Sequence, residues 1–241
     1  MLEITSKNNQ KIKDASSLKL KKVRLEKGLF LMEGLKNLEM ALRYGQVETI
    51  FTSVGLPKIG QDIETYKVND EIIKKLAYSE NPEGVVFTSK LIQKKKVNKD
   101  YHKIIYLDKI NDPGNLGTII RTAVAFNYDA VILSANTVDP YNEKALAASK
   151  GAIFAIDVFY GDIKDYIPGR KVVVSALSEK SVGLNGATKY QDFILVLGNE
   201  SHGVSKEIIS LADEVVKIEM SDQIDSLNVA VAAGILMNYY K

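Results

Sequence analysis

Apolar positions along the chain follow helical spacing in some segments and strand-like runs in others. In the N-terminal part this pattern predicts a small α/β unit. Its predicted elements are a helix near Ser16–Glu26, an apolar segment at Leu29–Glu33, a helix at Leu35–Tyr44, a strand at Val47–Ser53, a short strand near Thr65–Val68, a helix at Asp70–Leu76 and a strand at Val85–Thr88. The polar, lysine-rich stretch Leu91–Asp100 has the composition of a linker.

The pattern becomes regular after residue 102. The predicted strands are Lys103–Leu107, Asp129–Leu133, Ile153–Phe159, Lys171–Leu177, Phe193–Leu197 and Glu214–Ile218, and the predicted helices are Leu116–Phe126, Asn142–Ser149, Lys206–Leu211 and Ser226–Tyr240. Nearly continuous apolar strands that alternate with helices predict an α/β fold, with a parallel sheet covered on both faces. Ligands of such sheets bind beyond the carboxyl ends of the strands, which points to the loops after Leu107, Leu197 and Ile218.

Composition narrows the function classes. The chain has 241 residues, of which 46% are hydrophobic, so it has room for two domains and is not disordered. It contains no cysteine, which excludes disulfides, thiolate metal sites and thiol catalysis, and its two histidines disfavour a His-rich metal site. No apolar run reaches the roughly 18 residues of a membrane span, and the polar N-terminus lacks the core of a signal peptide. We therefore expect a soluble cytoplasmic protein.

The two halves of the chain differ in charge. Residues 1–100 carry 19 Lys and Arg against 13 Asp and Glu, whereas the remainder is net acidic. The N-terminal part is therefore the better candidate for binding a polyanion. The basic residues cluster at Lys19, Lys21, Lys22, Arg24 and Lys27, and again at Lys94, Lys95, Lys96 and Lys99. Charge alone leaves open that these clusters are only solvated surface.

The loop after the first strand of the regular region combines a turn, a glycine and one charge. Pro113 and Gly114 predict a tight turn, and Asn115 suits a helix N-cap. Gly117 would leave room for a group to approach the backbone. Arg121 is the single charge on an otherwise apolar helix, so it either extends to the helix edge or binds an anion such as phosphate.

Two later loops also carry unusual residues. After Leu197 the sequence reads Gly-Asn-Glu, and Gly198 and Gly203 would permit close backbone approach, although an ordinary strand-to-helix turn has the same composition. His202 is more typical of a surface loop than of a catalyst. In the last loop, Asn228 opens an apolar helix, where it is either a satisfied cap or part of a site.

In this order and spacing the loops resemble the motifs of the SpoU (TrmH-like) family of SPOUT RNA methyltransferases. The motif N-x-G-x-x-x-R is matched by Asn115, Gly117 and Arg121, the motif G-N-E-x-x-G by Gly198, Asn199, Glu200 and Gly203, and the S-L-N-V block by Ser226, Leu227, Asn228 and Val229. The stretch KKVRLEKGLFLMEG and the turn at Asn81–Val85 are similar to that family's RNA substrate-binding domain, so the resemblance covers nearly the whole chain.

The resemblance implies an organisation and an activity. A SPOUT methyltransferase domain with a deep trefoil knot would occupy residues 103–241, after a linker at residues 96–102 and an RNA substrate-binding domain at residues 1–95. The family implies S-adenosylmethionine as cofactor, a homodimer with its active site at the subunit interface, and transfer of a methyl group to a ribose 2′-hydroxyl. Ribosomal RNA is favoured over transfer RNA, and neither a metal nor a membrane is implied. A tRNA methyltransferase and a non-catalytic RNA-binding protein of the same fold remain alternatives.

The same resemblance assigns the site residues. The expected catalytic residues are Arg121, Asn115, Glu200, Ser226 and Asn228, and the expected cofactor residues are Leu177, Leu197, Gly198, Asn199, Gly203, Ile218, Met220 and Leu227. Because an Arg is hard to deprotonate in a protein, we expect Arg121 to pair with a phosphate and stabilise the developing alkoxide rather than act as general base. RNA phosphates are expected at Lys19, Lys21, Lys22 and Arg24.

The sequence departs from the family at two positions. The third motif usually reads I-P-M-x-G, and here Glu219 replaces the Pro and Asp222 the Gly. Asp tolerates left-handed backbone geometry better than most residues. We expect cofactor binding to survive these changes, and the sequence leaves open whether they weaken it.

Overall fold

The computed structural model describes residues 2–56, 59, 62–92, 100–178, 180–199 and 201–241. It divides into two compact units, Met1–Ile92 and Gln93–Lys241. The basic cluster at Lys94, Lys95, Lys96 and Lys99, and with it residues 96–99 of the predicted linker, lies outside the described residues. Within the described part of the chain, no helix combines the length and the apolar composition needed to cross a bilayer.

Over its described residues, the N-terminal unit is a five-stranded mixed sheet with four helices. The strands are β1 (Leu2–Ile4), β2 (Leu29–Glu33), β3 (Val47–Thr52), β4 (Glu64–Val68) and β5 (Val85–Lys90), and the helices are α1 (Gln10–Ser17), α2 (Lys21–Lys27), α3 (Leu35–Tyr44) and α4 (Asp70–Leu76). The strand order is β1-β4-β3-β5-β2, with β5 antiparallel to both of its neighbours. One core cluster joins Ile12 of α1, Phe51 of β3 and Ile72 of α4.

The single helix predicted near Ser16–Glu26 is wrong, because two helices occupy this region. Helix α1 begins earlier, where the Asn9 side chain accepts a hydrogen bond from the Lys11 N–H, and ends at Ser17. Leu20 is extended, and α2 starts after it and stops at Gly28, whose φ of +65° is favourable for glycine. Leu18, between the helices, is 1% exposed, so burial of this residue fixes the turn.

The described residues of the C-terminal unit form a seven-stranded sheet. The strands are β6 (Lys103–Asp108), β7 (Ala130–Leu133), β8 (Asp157–Tyr160), β9 (Lys171–Ser175), β10 (Val182–Gly183), β11 (Phe193–Gly198) and β12 (Glu214–Lys217), and the helices are α5 (Pro113–Ala125), α6 (Glu143–Ser149), α7 (Lys206–Ile209) and α8 (Val229–Tyr239). The strand order is β10-β12-β9-β11-β6-β7-β8, and every pairing in it is parallel. The predicted parallel α/β sheet is therefore confirmed.

Alternating residues of the strands build two apolar layers. On one face, Ile104, Val172 and Ile194 pack with Ile208 of α7 in a single core cluster. The intervening strand residues, such as Leu195, are also fully buried, which explains why the strands are apolar at nearly every position.

Two predicted elements in this unit are corrected, and one strand was not predicted. The strand predicted at Ile153–Phe159 is one turn of 3-10 helix at Ala152–Phe154 followed by β8, because a short apolar run does not distinguish the two by spacing. The helix predicted at Ser226–Tyr240 begins only at Val229. The two-residue strand β10 was too short to be predicted.

Candidate active site

The first loop joins β6 to α5 at the carboxyl edge of the sheet. The Asp112 side chain caps α5 by accepting a hydrogen bond from the Asn115 N–H at 2.7 Å, and Pro113 is the first helical residue. The prediction that Asn115 is the N-cap is therefore wrong. Asn115 lies in the first turn, where its Oδ1 accepts a hydrogen bond from Asn228 Nδ2 at 3.0 Å.

Gly117 allows α5 and α6 to meet at their backbones. A Cβ at this position would lie 2.2 Å from the Ala145 carbonyl oxygen, 2.7 Å from the Ala148 Cβ and 2.9 Å from the Ser149 nitrogen. The space that the sequence suggested for an approaching ligand is thus filled by α6. This glycine of the first motif serves helix packing.

Arg121 is exposed on α5, on the same side as Thr118 and Ala125. Within the described residues its guanidinium makes neither an ion pair nor a hydrogen bond. The arginine is therefore available to an external anion.

The second loop turns back on itself directly after β11. A Cβ on Gly198 would lie 2.2 Å from both Gly203 C and Val204 N, and the backbones of Asn199 and Gly203 exchange hydrogen bonds at 3.1 and 2.8 Å. Gly203 has a φ of +66°. Both glycines are thus required by the backbone of the turn itself. The third member of this motif, Glu200, lies outside the described residues.

The Asn199 side chain holds the second loop and ties it to the first. This side chain is buried, and its Oδ1 accepts hydrogen bonds from the backbone N–H groups of Ser201 (2.8 Å) and His202 (3.2 Å). Its Nδ2 donates to the carbonyl oxygen of Lys109 at 2.9 Å. Sequence reasoning did not identify Lys109, because 90 positions separate it from Asn199.

In the third loop, Asn228 is both a helix cap and a link between loops. Its Oδ1 accepts hydrogen bonds from Ala230 N (2.9 Å) and Val231 N (3.3 Å), which caps α8, while its Nδ2 makes the bond to Asn115. The first and third loops are therefore joined directly within one chain.

A cavity of about 340 Å³ opens where the second and third loops meet the turn after β9. Its lining contains all eight residues expected to bind the cofactor and also the expected catalytic residue Ser226; the eight are Leu177, Leu197, Gly198, Asn199, Gly203, Ile218, Met220 and Leu227. His202, Lys217, Val229 and Ala232 line it as well and were not among the predicted site residues. Asn115, Arg121 and Asn228 do not belong to the described lining of this cavity.

Glu219, which replaces the family's Pro, reaches across to a neighbouring segment. Its carboxylate accepts a hydrogen bond from Asn185 Nδ2 at 3.3 Å. A Cβ added to Gly183 would lie only 2.6 Å from Glu219 Oε1. The substitution therefore adds a tie between the third loop and the edge of the sheet. The other departure, Asp222, is exposed.

Arg24, one of the four cations expected to contact RNA, is buried in the N-terminal unit. It is 5% exposed, and its Nη1 donates to the carbonyl oxygens of Leu18 (3.2 Å) and Lys19 (3.0 Å), beyond the C-terminal end of α1. A guanidinium held in this way caps a helix, so the expectation that Arg24 contacts RNA is corrected.

Lys19 is similarly engaged. Its Nζ donates to the carbonyl oxygens of Lys75 (3.0 Å) and Ala77 (2.6 Å) at the end of α4. Lys21 and Lys22, in the first turn of α2, are exposed. Only these two of the four cations present their charge to solvent.

The described residues contain no group of three or more His, Asp or Glu side chains placed to hold a metal ion. The site is instead a largely apolar cavity with polar loop backbone, at the carboxyl edge of a parallel sheet. This arrangement is typical of α/β proteins that bind a small organic molecule.

The family follows from comparison with known sequences. A family model described as the SpoU rRNA Methylase family matches residues 102–238, which is more than half of the chain, and a model described as an MRM3-like substrate binding domain matches residues 9–86. The chain therefore belongs to the SpoU rRNA methylase family, and the expected family is confirmed.

Individual relatives match over nearly the whole chain. The 23S rRNA (guanosine(2553)-2'-O)-methyltransferase of Bacillus subtilis is 31% identical over 251 residues, covering 100% of each chain. The 23S rRNA (uridine(2479)-2'-O)-methyltransferase of Streptomyces viridochromogenes is 24% identical and is matched over 97% of this chain and 90% of its own length.

A solved structure supports the fold. The crystal structure of an AdoMet-bound rRNA methyltransferase from Sinorhizobium meliloti superimposes with a TM-score of 0.88 at 30% identity, covering 99% of this chain and 96% of that one. The expected SPOUT methyltransferase fold is thus confirmed. The trefoil knot within it stays a prediction.

Proposed function

We propose that the protein transfers the methyl group of S-adenosylmethionine to a ribose 2′-hydroxyl of ribosomal RNA, with 23S rRNA as substrate. The observation that carries this proposal is the cavity at the carboxyl edge of the sheet, which brings all eight expected cofactor residues together. The names of two relatives, both 23S rRNA 2'-O-methyltransferases, support the choice of substrate.

The cavity suits the cofactor in size and chemistry. Its volume of about 340 Å³ falls within the range of roughly 300–1,000 Å³ that is typical of small-molecule sites. Leu197, Met220 and Leu227 offer apolar surface for a purine ring. When bound, S-adenosylmethionine supplies an electrophilic methyl group on a sulfonium.

We assign Arg121 to the reacting hydroxyl. A guanidinium stays protonated in proteins, so Arg121 would stabilise the negative charge that develops on the 2′-oxygen and pair with a neighbouring phosphate, while the hydroxyl proton would pass to water. Arg121 does not line the cavity of its own chain, and it lies about 9 Å further along the axis of α5 than Asn115. The arginine would therefore act at the cavity of a second subunit.

A face formed by α5 and α8 suits a second copy of the chain. The two helices pack side by side, since a Cβ on Gly234 would be 3.9 Å from the Thr122 methyl carbon. Beside this contact, Val231 and Ile235 are 52% and 38% exposed. Association through this face would remove these side chains from water and bring Arg121 into a homodimer interface.

Substitution of Arg121 tests the catalytic assignment. We expect Arg121→Ala to lower single-turnover methyl transfer to 23S rRNA transcribed in vitro by at least about 100-fold, because the charge on the oxygen loses its partner. The dissociation constant for S-adenosylmethionine, measured by calorimetry, should stay within about threefold. Arg121→Lys keeps the charge without the planar fork and should retain part of the rate. Near wild-type turnover of Arg121→Ala would refute the assignment.

Mixed subunits test the shared site. Arg121→Ala subunits mixed with Leu227→Arg subunits, whose cavity is blocked, should regain activity, because one site of each heterodimer combines an intact cavity with an intact arginine. If the mixture stays inactive although heterodimers form, the site lies within one chain. Ile235→Asp should give monomers in sedimentation velocity, whereas Leu25→Asp, at a residue 61% exposed in the N-terminal unit, should not.

We also propose that the N-terminal unit holds the RNA substrate, with Lys21 and Lys22 pairing with phosphates. The match of residues 9–86 to a substrate-binding model supports this role. The domain roles would then be those expected from the sequence, with RNA binding at residues 1–95 and methyl transfer at residues 103–241. An rRNA substrate fits a cytoplasmic location.

A further inference from the structure

A second cavity, of about 500 Å³, lies at the carboxyl ends of β6, β7 and β8. It opens on the same edge of the sheet as the proposed cofactor cavity. The loop between Asn199 and Ser205 contributes residues to both cavities. The methyl-transfer proposal does not use this second cavity.

Lys109 presents a cation to this cavity from an uncommon backbone conformation. Its φ is +59°, which few residues other than glycine adopt. Its N–H donates to Ser134 Oγ at 2.8 Å and its carbonyl oxygen accepts from Asn199 Nδ2 at 2.9 Å, so the conformation is held from both sides. The side chain is exposed, and in the described part of the chain its ammonium has no partner. A strained backbone that is held in this way is typical of functional positions.

Tyr160 supplies a fixed aromatic surface in the same lining. The residue is 43% exposed, although its hydroxyl donates to the carbonyl oxygens of Thr137 at 3.1 Å and Val138 at 3.3 Å. Burial of the hydroxyl, with a further contribution from Asp139, raises the pKa of Tyr160 to about 12, so the phenol stays neutral. An exposed ring held by its hydroxyl suits stacking of a nucleobase.

The other charges of the lining are already engaged. Glu207 forms an ion pair with Lys164 at 2.8 Å, and Asp162 accepts a hydrogen bond from the Lys164 backbone N–H at 3.0 Å. Asp108 is 2% exposed and accepts from the Ser205 N–H at 2.8 Å. Among the charged residues of the described lining, Lys109 is therefore the one whose side chain makes neither an ion pair nor a hydrogen bond.

We propose that this cavity binds an unpaired nucleotide of the RNA substrate other than the one that is methylated, with its base stacked on Tyr160 and its phosphate paired with Lys109. The inference rests on the proposed function, because it takes RNA as the substrate. It gives the C-terminal unit its own contact with RNA, independent of the lysines of α2.

Two substitutions with matched controls test this site. Lys109→Asn removes the charge and leaves a residue that tolerates positive φ, and Lys150→Asn does the same at another exposed lysine with a φ of +50° that does not line the cavity. Tyr160→Leu removes the ring, whereas Tyr160→Phe keeps the ring and loses only the hydroxyl. The probe is 23S rRNA transcribed in vitro, with equilibrium binding and single-turnover methyl transfer measured at several salt concentrations.

We expect Tyr160→Leu to weaken RNA binding about tenfold. Lys109→Asn should also weaken it and should reduce the slope of log affinity against log salt by about 1. Both controls should bind RNA like the wild type. All four variants should keep the wild-type dissociation constant for S-adenosylmethionine, which reports folding of the C-terminal unit. If Tyr160→Leu loses cofactor binding, it is set aside, and the test rests on the RNA affinity and salt slope of Lys109→Asn.

The outcomes separate this inference from the proposed function. In one outcome, the wild type transfers methyl groups while Lys109→Asn and Tyr160→Leu keep its RNA affinity and salt slope. That result overturns the nucleotide site and leaves the proposed methyltransferase activity standing. Weakened RNA binding of these variants without methyl transfer by the wild type supports the site and refutes the activity. If the wild type binds AMP and both substitutions abolish that binding without changing RNA affinity, the cavity is a site for free nucleotides. That result would overturn the proposal.

Discussion

Gly117 gives a prediction in which two effects of one methyl group oppose each other. Gly117→Ala lies in the interior of α5, where Ala is favoured over Gly by about 1 kcal/mol of helix propensity. The added Cβ would, however, stand 2.2 Å from the Ala145 carbonyl oxygen and 2.9 Å from the Ser149 nitrogen. These are backbone atoms of α6, which cannot rotate away as a side chain could, so the helices must separate.

Overpacking of this kind costs about 1–3 kcal/mol, and contact with the backbone places Gly117→Ala at the upper end of that range. After the gain in helix propensity, we expect a net loss of about 2 kcal/mol in the free energy of unfolding. For a chain of this length that corresponds to a fall in Tm of about 4–8 °C.

The assay is thermal unfolding of the full chain followed by circular dichroism, at one protein concentration for all variants. Gly234→Ala is the matched control, because it also lies inside a helix but its nearest atom would be the Thr122 methyl carbon at 3.9 Å. This variant should gain up to about 1 kcal/mol. A Gly117→Ala protein at least as stable as the wild type would refute the packing argument and return this glycine to a role in ligand approach.

Three further substitutions test other parts of the structure. Asn228→Ala should lose about 1 kcal/mol of stability in urea unfolding, because α8 loses its cap, and an unchanged midpoint would contradict that role. Arg24→Ala should lower the free energy of unfolding by about 1–3 kcal/mol, because carbonyl groups at the end of α1 lose their donor, and RNA affinity should not change. Unchanged stability with weakened RNA binding would restore Arg24 as an RNA contact. The side chain of Lys171, and then the Val172 N–H, hold the pKa of Asp213 below its ordinary value of 3.8. The Asp213 carboxylate therefore binds a proton more readily in the unfolded chain than in the folded one. Its contribution to the free energy of unfolding is present above about pH 4 and lost below it. Asp213→Asn should flatten the acid side of the stability–pH curve, and an unchanged curve would contradict this sign.

Much of the C-terminal fold is predictable because its strands are buried on both faces. Such strands are apolar at nearly every position, which separates them from the amphipathic helices between them. The cavity residues were assigned from the resemblance to the SpoU family, and they meet because β9, β11 and β12 are neighbours whose carboxyl ends share one edge of the parallel sheet. The errors fall where spacing is ambiguous, as in the apolar run that contains Ala152–Phe154.

Contacts between distant parts of the chain could not be predicted from the sequence. The bond from Asn228 to Asn115 joins residues 113 positions apart, and the bond from Asn199 to Lys109 spans 90. No local pattern encodes either of them, because each depends on how loops of neighbouring strands meet. Arg24 was misassigned for a related reason, since local charge density does not reveal that a guanidinium folds back onto helix carbonyls.

The contact between Glu219 and Gly183 makes these two positions interdependent. A β-carbon at 183 would lie 2.6 Å from Glu219 Oε1, so the exposed carboxylate would have to turn aside and release Asn185. The end of a long side chain moves at little cost, so a residue larger than glycine at 183 would be tolerated. Its cost would be the hydrogen bond that ties the third loop to the edge of the sheet, and the third loop would gain freedom without loss of the fold.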